Sequence, residues 1–137
     1  MATLTLPNRV ESVRPATAFV VRTARAMQVP GAAEPVFEVA VSEAIANAVK
    51  HGRGRLKDST IRCDIEIEGR RLMLRILDGG AGFQIPRGAM PELSRRKLET
   101  LPEAGYGLPI IRSVFPIVRV IEVNGRFGVE LGMPVSR

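Results

Sequence analysis

Three polar residues with the chemistry to bind or activate a ligand are spaced four apart: Glu43, Asn47 and His51. In an α-helix a spacing of four turns only ~40° around the axis and rises ~6 Å, so the three side chains form one ladder. Most of the surrounding residues from Pro35 onward are apolar, which predicts a buried helix whose polar ladder is the wall of an internal pocket. On this triple alone, a partly exposed helix with a solvated Glu/Asn stripe is an equally good interpretation.

A carboxylate stands at the end of a predicted hydrophobic strand. Residues 72–77 lead into Asp78, and Gly80 and Gly82 follow before Phe83. Glycines without side chains allow the backbone to come close to a ligand. A carboxylate at this position can accept a hydrogen bond from an exocyclic amino group, which would select adenine over guanine.

A second glycine pair, Gly105 and Gly107, precedes a predicted apolar helix over residues 108–112. Free N–H groups and the positive end of a helix dipole bind phosphates. Each glycine motif alone is a weak signal, because Asp-Gly pairs mark turns more often than nucleotide sites. The three motifs in this order favour a nucleotide-binding protein.

The order E-x-x-x-N-x-x-x-H, D-x-G-x-G and G-x-G-L resembles the N, G1 and G2 boxes of the Bergerat-fold (GHKL) ATPases. The sequences of residues 42–52 and 107–112 resemble those of the bacterial anti-sigma factor and serine-protein kinase branch, whose members regulate sigma factors by partner switching. The resemblance spans about residues 1–134. It implies a histidine-kinase-like ATPase fold that binds ATP or ADP with Mg²⁺.

Roles for the polar residues follow from their chemistry and from this resemblance. Asn47 offers a neutral oxygen to Mg²⁺, a hard cation that takes few protein ligands. Glu43, one turn earlier, is the predicted catalytic residue that polarises an incoming hydroxyl or water. His51 is assigned to the nucleotide site, although capping or packing at the end of its helix explains it as well. The predicted nucleotide-binding set is Asn47, Lys50, His51, Asp78, Gly80, Gly82, Phe83, Gly105, Tyr106, Gly107 and Leu108.

The segment from Phe83 to Ala104 contains three prolines and few large apolar residues. It can contribute little to a core, and the resemblance identifies it as a mobile ATP lid. An inert surface loop is the alternative.

Two function classes remain open. A self-contained sensor histidine kinase is excluded because His51 is the one histidine of the chain. The resemblance implies a serine/threonine protein kinase that phosphorylates a STAS-domain anti-sigma-factor antagonist, with a sigma factor as competing partner. It also implies a homodimer, and a contact between Arg14 and both partners. The alternative is a non-catalytic, ATP-dependent module that sequesters a sigma factor or another regulator.

The composition restricts the possible domain organisation and function. The 137 residues, 45% hydrophobic, are expected to form one ATP-binding domain. The net charge of +6 comes from 20 Lys and Arg spread along a chain with no Trp and one Tyr, which argues against direct nucleic-acid binding. No apolar run approaches ~18 residues and no signal peptide is evident, so a cytoplasmic protein is expected. One Cys and one His exclude a Cys/His metal cage, and Cys63 is predicted to be buried.

The elements that must position these residues follow from periodicity. We expect an edge strand over residues 3–6 and a helix capped by Ser12 that runs to about Met27, where Pro30-Gly31 stops it. The ladder helix should span about 33–51. Two hairpins should follow, one over 60–77 around Gly69 and one over 117–133 around Asn124-Gly125. The predicted fold class is α+β, a two-layer sandwich in which a mixed, mostly antiparallel sheet carries helices on one face, with the nucleotide between the layers. The inner face of the first helix is predicted to contain Phe19, Val20, Thr23 and Met27.

Overall fold

The computed structural model describes residues 1–51, 59–79 and 108–135, apart from the side chain of His51. Two predicted features lie outside the described residues: the lid, and the Gly105/Gly107 pair. The elements are, in order, β1 (Ala2–Pro7), a 3₁₀ turn (Val10–Ser12), α1 (Val13–Ala26), α2 (Pro35–His51), β2 (Thr60–Glu68), β3 (Arg71–Gly79), α3 (Leu108–Val114), β4 (Ile117–Val123) and β5 (Arg126–Pro134).

The five strands form one sheet in the order β1-β2-β3-β5-β4. Every pairing among these described strands is antiparallel, so the parallel pair that a mixed sheet would contain is not found there. The core joins α1, α2 and α3 to the side chains of one face of the sheet. This two-layer α+β arrangement confirms the predicted fold class. Within the described ranges, no helix combines the length and the apolar character that a membrane span requires.

The first hairpin turns at Gly69, as predicted. Ile61, Cys63 and Ile65 of β2 are at most 1% exposed and face the helices, and Leu74 and Ile76 lie opposite them on β3. Burial raises the pKa of the Cys63 thiol to about 12, and the neighbouring Asp64 carboxylate acts in the same direction. The thiol is therefore a neutral core group, as predicted.

The second hairpin turns where predicted. Asn124 and Gly125 have φ values of 53° and 83°, the pair of left-handed residues that a type I′ turn requires. This turn fixes the register of β4 on β5, which brings Val118 opposite Leu131 on the helix-facing side. Leu131 is 1% exposed in the core.

Helix α1 differs from expectation at its start. Ser12 occupies the N-cap position but makes no capping hydrogen bond. Its hydroxyl instead donates to the carbonyl oxygen of Pro7 at 2.6 Å. The 3₁₀ turn leads directly into α1, so the backbone at Ser12 is already helical and does not adopt the extended conformation of a usual N-cap. The Ser12 side chain instead joins the turn to the end of β1.

The buried face and the end of α1 also correct the prediction. Of the residues predicted to share one face, Val20 is fully buried, Phe19 and Met27 are partly buried and pack against the core, and Thr23 is partly exposed. The helix ends at Ala26, before Pro30-Gly31, because Gln28 adopts a left-handed conformation with φ 60°. The buried residues of α1 are Ala16, Thr17, Val20, Val21 and Ala24.

Helix α2 is the centre of the helix layer, since it contacts α1, α3 and β3. Its inner side carries Phe37, Val41 and Ile45, each at most 1% exposed. The Phe37 ring lies 5.8 Å from the ring of Phe115, a fully buried residue that the sequence analysis did not assign to the core. This aromatic pair links the start of α2 to the end of α3.

The face of the sheet opposite the helices is organised by arginines. Arg75 on β3 donates to Glu66, Glu68 and Glu130 at 2.6–2.7 Å, and Arg119 of β4 pairs with the same Glu130. The hydrogen bond from Arg75 lowers the pKa of Glu68. These ion pairs join β2, β3, β5 and β4 across the outer face.

Gly128 lies where the backbone of the neighbouring strand leaves no room for a side chain, which leads to a prediction about stability. An added Cβ would lie 1.9 Å from the carbonyl oxygen of Ile76, a backbone atom of the neighbouring strand. We expect Gly128→Ala to lower the free energy of unfolding by roughly 2 to 4 kcal/mol in urea denaturation. Gly132→Ala is the control, because its Cβ would meet the flexible side chains of Met73 and Ile117 at 2.9–3.2 Å. Equal losses in both variants would contradict this account.

Candidate functional site

The described part of the candidate site is assembled at one end of the sheet. Thr60 pairs with Pro7 on one side and with Gly79 on the other. The backbone N–H of Asn8 donates to the carbonyl oxygen of Ser59 at 3.0 Å. The end of β1, the start of β2 and the end of β3 therefore meet, and Asp78 lies at this end.

The C-terminal half of α2 lies at the same end. Ala46, Val49 and Lys50 border a cavity of about 750 Å³ together with residues of the β1–α1 connection. We call this cavity the α1–α2 groove, and its lining residues are Asn8, Arg9, Val10, Val13, Ala46, Val49 and Lys50. The fold thus brings the end of the ladder helix and the end of β3 to one edge of the molecule.

Glu43 and Asn47 lie one turn apart on α2 and are both half-buried. The same side of the helix carries Val36 and Val39, which are 47% and 43% exposed. Among the described residues the polar ladder therefore faces an open surface. This corrects the expectation of a helix buried on all sides and matches the alternative of a partly exposed Glu/Asn stripe.

Asp78 is half-buried on the helix-facing side of the sheet. Its side is fixed by its position opposite Ile61, a core residue that is 1% exposed. Side chains directly opposite each other in an antiparallel pair share a face. The carboxylate is thus directed toward the helix layer, where a ligand between helices and sheet could meet it.

Other predicted residues have different positions. The side chain of Leu108 is 3% exposed in the core, so it anchors α3 and leaves only its backbone for contact with a ligand. Lys50 is exposed at the edge of the α1–α2 groove, and Arg14 is exposed in the first turn of α1. The remaining predicted positions lie outside the described residues: the side chain of His51, Gly80, Gly82, Phe83, Gly105, Tyr106 and Gly107.

The sequence analysis missed the connection from β1 to α1. Asn8, Arg9 and Val10 border the same groove as the C-terminal turns of α2, although they are some 40 positions away in the chain. No periodicity or motif marks these three residues. These residues can be placed at the groove only from the topology of the sheet. The pairing of β1 with β2 brings the end of β1 close to the start of β2, and so to the end of α2.

The donor atoms present suit a hard cation held by few protein ligands. Within the described residues, no group of three His, Cys, Asp or Glu could enclose a metal ion. Asn47 and Glu43 nevertheless present an amide oxygen and a carboxylate one turn apart on a half-buried surface. Oxygen donors of this kind fit Mg²⁺, which retains waters and phosphate oxygens as its other ligands.

Comparison with known proteins agrees with this geometry. Residues 6–133 match a family described as histidine kinase-like ATPase domain. The catalytic domain of the histidine kinase ThkA, in a nucleotide-free form, has the same fold, with a TM-score of 0.57 over 98% of this chain and 97% of that one at 14% identity.

Similar curated proteins are bacterial regulators. The serine-protein kinase RsbW of Oceanobacillus iheyensis is 31% identical over 100 residues, 71% of this chain and 61% of that protein. The anti-sigma F factor of Clostridium novyi is 32% identical over 92 residues, 64% of this chain and 62% of that protein. The chain thus spans about three fifths of the length of these relatives. With a family match over almost its whole length and a sheet and helix layer of the corresponding fold, the chain belongs to the histidine kinase-like ATPase domain family.

Proposed function

We propose that the protein is an anti-sigma factor and serine/threonine protein kinase that uses Mg-ATP to phosphorylate a STAS-domain antagonist. The observation that carries the proposal is the partial exposure of three oxygen-bearing side chains, two on α2 and one on the helix-facing side of the sheet. Glu43 and Asn47 share one half-buried face of α2, and Asp78 faces the helix layer from the end of β3. The similarity to a serine-protein kinase and to anti-sigma F factors supports the choice of substrate class.

Glu43 is the proposed general base. A serine or threonine hydroxyl is a weak nucleophile, and a carboxylate within hydrogen-bond reach can accept its proton as its oxygen bonds to the γ-phosphorus. The bond from that phosphorus to the bridging oxygen breaks, and ADP leaves. Half-burial of Glu43 supports this role, because the carboxylate can be approached by another protein and still be partly shielded from water.

Asn47 is the proposed protein ligand of Mg²⁺, through its amide oxygen. The cation would neutralise charge on the phosphate oxygens. The helix holds Glu43 one turn from Asn47, so that the proposed base and the proposed magnesium ligand would be positioned by one rigid element.

Asp78 is the residue proposed to recognise adenine. Its carboxylate would accept a hydrogen bond from the 6-amino group, whereas the 6-oxo group of guanine would place two acceptors against each other. The inward orientation set by the pairing with Ile61 supports this role.

A second function remains consistent with the same site. A module that binds ATP and sequesters a sigma factor without phosphoryl transfer would need Asn47 and Asp78 but no general base. The open face of α2 around Val36 and Val39 favours a protein partner in both cases, because exposed apolar side chains beside a ligand site are typical of an interaction surface. Homodimerisation stays a prediction from the family resemblance.

The first test concerns nucleotide choice. Asp78→Asn keeps the size of the side chain but can turn an amide donor toward the adenine amino group. We expect the binding free energies of ATP and ADP to weaken by ~1 to 3 kcal/mol in calorimetric titration. The free energy of unfolding of the nucleotide-free protein should not increase. Glu122→Gln, an equivalent change at an exposed position of β4, is the control. Equal affinity of the unmutated protein for ATP and GTP would refute the role of Asp78.

The second test separates the kinase from the binding module. Incubation with the cognate STAS-domain protein and γ-labelled ATP should label a serine or threonine of that partner. Glu43→Ala should retain nucleotide and partner binding but lose ~10²-fold or more of the transfer rate, the usual scale for removal of a general base. Asn47→Ala should lose Mg²⁺ coordination as well.

Glu38→Ala is the matched control, because Glu38 is an exposed glutamate on the same helix but on another side. Labelling that survives Glu43→Ala would remove Glu43 from the mechanism. No labelling by the unmutated protein, with ATP-dependent retention of the sigma factor, would identify the non-catalytic module.

The third test concerns the partner surface. Arg14 is exposed in the first turn of α1, at the end of the molecule that carries the site. Arg14→Ala should leave ATP affinity intact yet weaken capture of both sigma factor and antagonist in a pull-down. Arg22→Ala, at an exposed position further along α1, serves as the control. Unchanged capture by the Arg14 variant would exclude Arg14 from the interface.

A further inference from the structure

The first two turns of α2 carry an exposed apolar surface next to the proposed general base. Val36 and Val39, which we call the α2 valine surface, are 47% and 43% exposed, whereas Phe37 and Ala40 beside them are at most 1% exposed. Helix propensity does not explain valines at solvent-facing positions, because β-branched residues are slightly unfavourable in helices. One exposed valine is ordinary, but two neighbouring ones form a surface that a ligand could cover.

The valine surface is continuous with Glu43. Helical geometry places Val39 one turn before Glu43, ~6 Å along the axis and ~40° around it. Val36 lies ~10 Å from Glu43 along the axis and only ~20° around it. Glu43 is half-buried. A protein segment that presents a hydroxyl to Glu43 and runs toward the start of α2 therefore crosses Val39.

The charges of this part of the chain restrict what the surface can bind. Residues 26–49 contain no Lys or Arg, and their charged residues are Glu34, Glu38 and Glu43. A phosphate or a carboxylate at the valines would lie near these carboxylates, and this part of the chain supplies no cation to offset the repulsion. Charge complementarity therefore favours an apolar segment without a negative charge over a nucleotide phosphate or an acidic segment.

The valine surface is also separate from the start of α1. Lys50, at the other end of α2, borders the connection from β1 to α1. Val36 lies ~21 Å from Lys50 along the helix axis and Val39 ~16 Å. A partner contact at Arg14 would therefore leave the valine surface to a different part of the same partner.

We infer that the α2 valine surface binds the residues beside the phosphoacceptor of the substrate protein, and selects an acceptor with an apolar side chain two residues from its serine or threonine. An extended segment rises ~3.3 Å per residue, and its side chains two residues apart share a face. A hydroxyl at Glu43 thus places the second side chain ~6.6 Å away, over Val39. The inference rests on the proposed function, because it requires a phosphoacceptor at Glu43.

The test is steady-state phosphoryl transfer from γ-labelled ATP with varied concentrations of the STAS-domain protein. Val39→Asn removes the apolar contact and adds no charge near Glu43. It should raise the KM for the acceptor protein about tenfold, change kcat by less than about threefold and leave ATP affinity unchanged. Val39→Ile should retain the KM of the unmutated protein. Ile67→Asn is the matched control, since Ile67 is 40% exposed at the end of β2 remote from Thr60.

Variants of the acceptor protein provide the second arm. The residues two positions before and two positions after its phosphoacceptor are replaced in turn by asparagine. One of the two changes should raise the KM about tenfold with the unmutated kinase, and it should have little further effect with Val39→Asn. Additive effects, no effect at either position, or an acceptor with no apolar residue at either position would overturn the inference.

The outcomes separate this inference from the proposed function. No transfer by the unmutated protein would refute the kinase, and the inference with it. Transfer with an unchanged KM in Val39→Asn would refute the inference alone. Three other results would also overturn it: weaker ATP binding by Val39→Asn, which assigns the valines to the nucleotide site; a lower mass in sedimentation, which assigns them to a second copy; and weaker capture of the sigma factor with an unchanged KM.

Discussion

The burial of one side of α2 is the constraint on which the rest of the structure depends. Phe37, Val41 and Ile45 face the sheet, and each contributes ~1.5 to 3 kcal/mol when it leaves water. Rotation of the helix by one residue, ~100°, would expose these groups and bury the ladder residues instead. The hydrophobic contact therefore sets which way Glu43 and Asn47 point. Because α2 also contacts α1 and α3, both neighbours take their positions from it.

The sheet controls the position of Asp78 in the same way. A slip of β3 by one residue against β2 would move Asp78 to the outer face and expose Leu72, Leu74 and Ile76. The outer face resists such a slip as well, because Arg75 would lose its three carboxylate partners. Two independent sets of contacts, apolar on one face and ionic on the other, thus hold one carboxylate toward the helix layer.

The parts of the fold that sequence could predict are those encoded by local periodicity. Both hairpins follow from the alternation of apolar and polar residues. The dipeptide Asn124-Gly125 predicts a type I′ turn, and both residues adopt the positive φ that this turn requires. The ladder helix follows from spacing in the same way. Its exposure did not, because Val36 and Val39 look like core residues in the sequence and their environment depends on which neighbours cover them.

The failures have physical reasons of the same kind. The inner face of α1 was predicted from its large residues, but close packing against α2 uses small ones, Ala16 and Ala24, which carry no strong signal. Thr17 can be buried because its hydroxyl donates to the carbonyl oxygen of Val13 at 2.7 Å. Phe115 is a core residue because it meets Phe37 across a long separation in sequence. The α1–α2 groove is the extreme case, since none of its residues is informative until the sheet has formed.

The arrangement of α2 suggests how two binding events could influence each other. Lys50 belongs both to the predicted nucleotide set and to the lining of the α1–α2 groove. Rigid helix geometry keeps the groove and the polar ladder within one turn of each other, so a ligand in one would lie beside the other without any movement of the core.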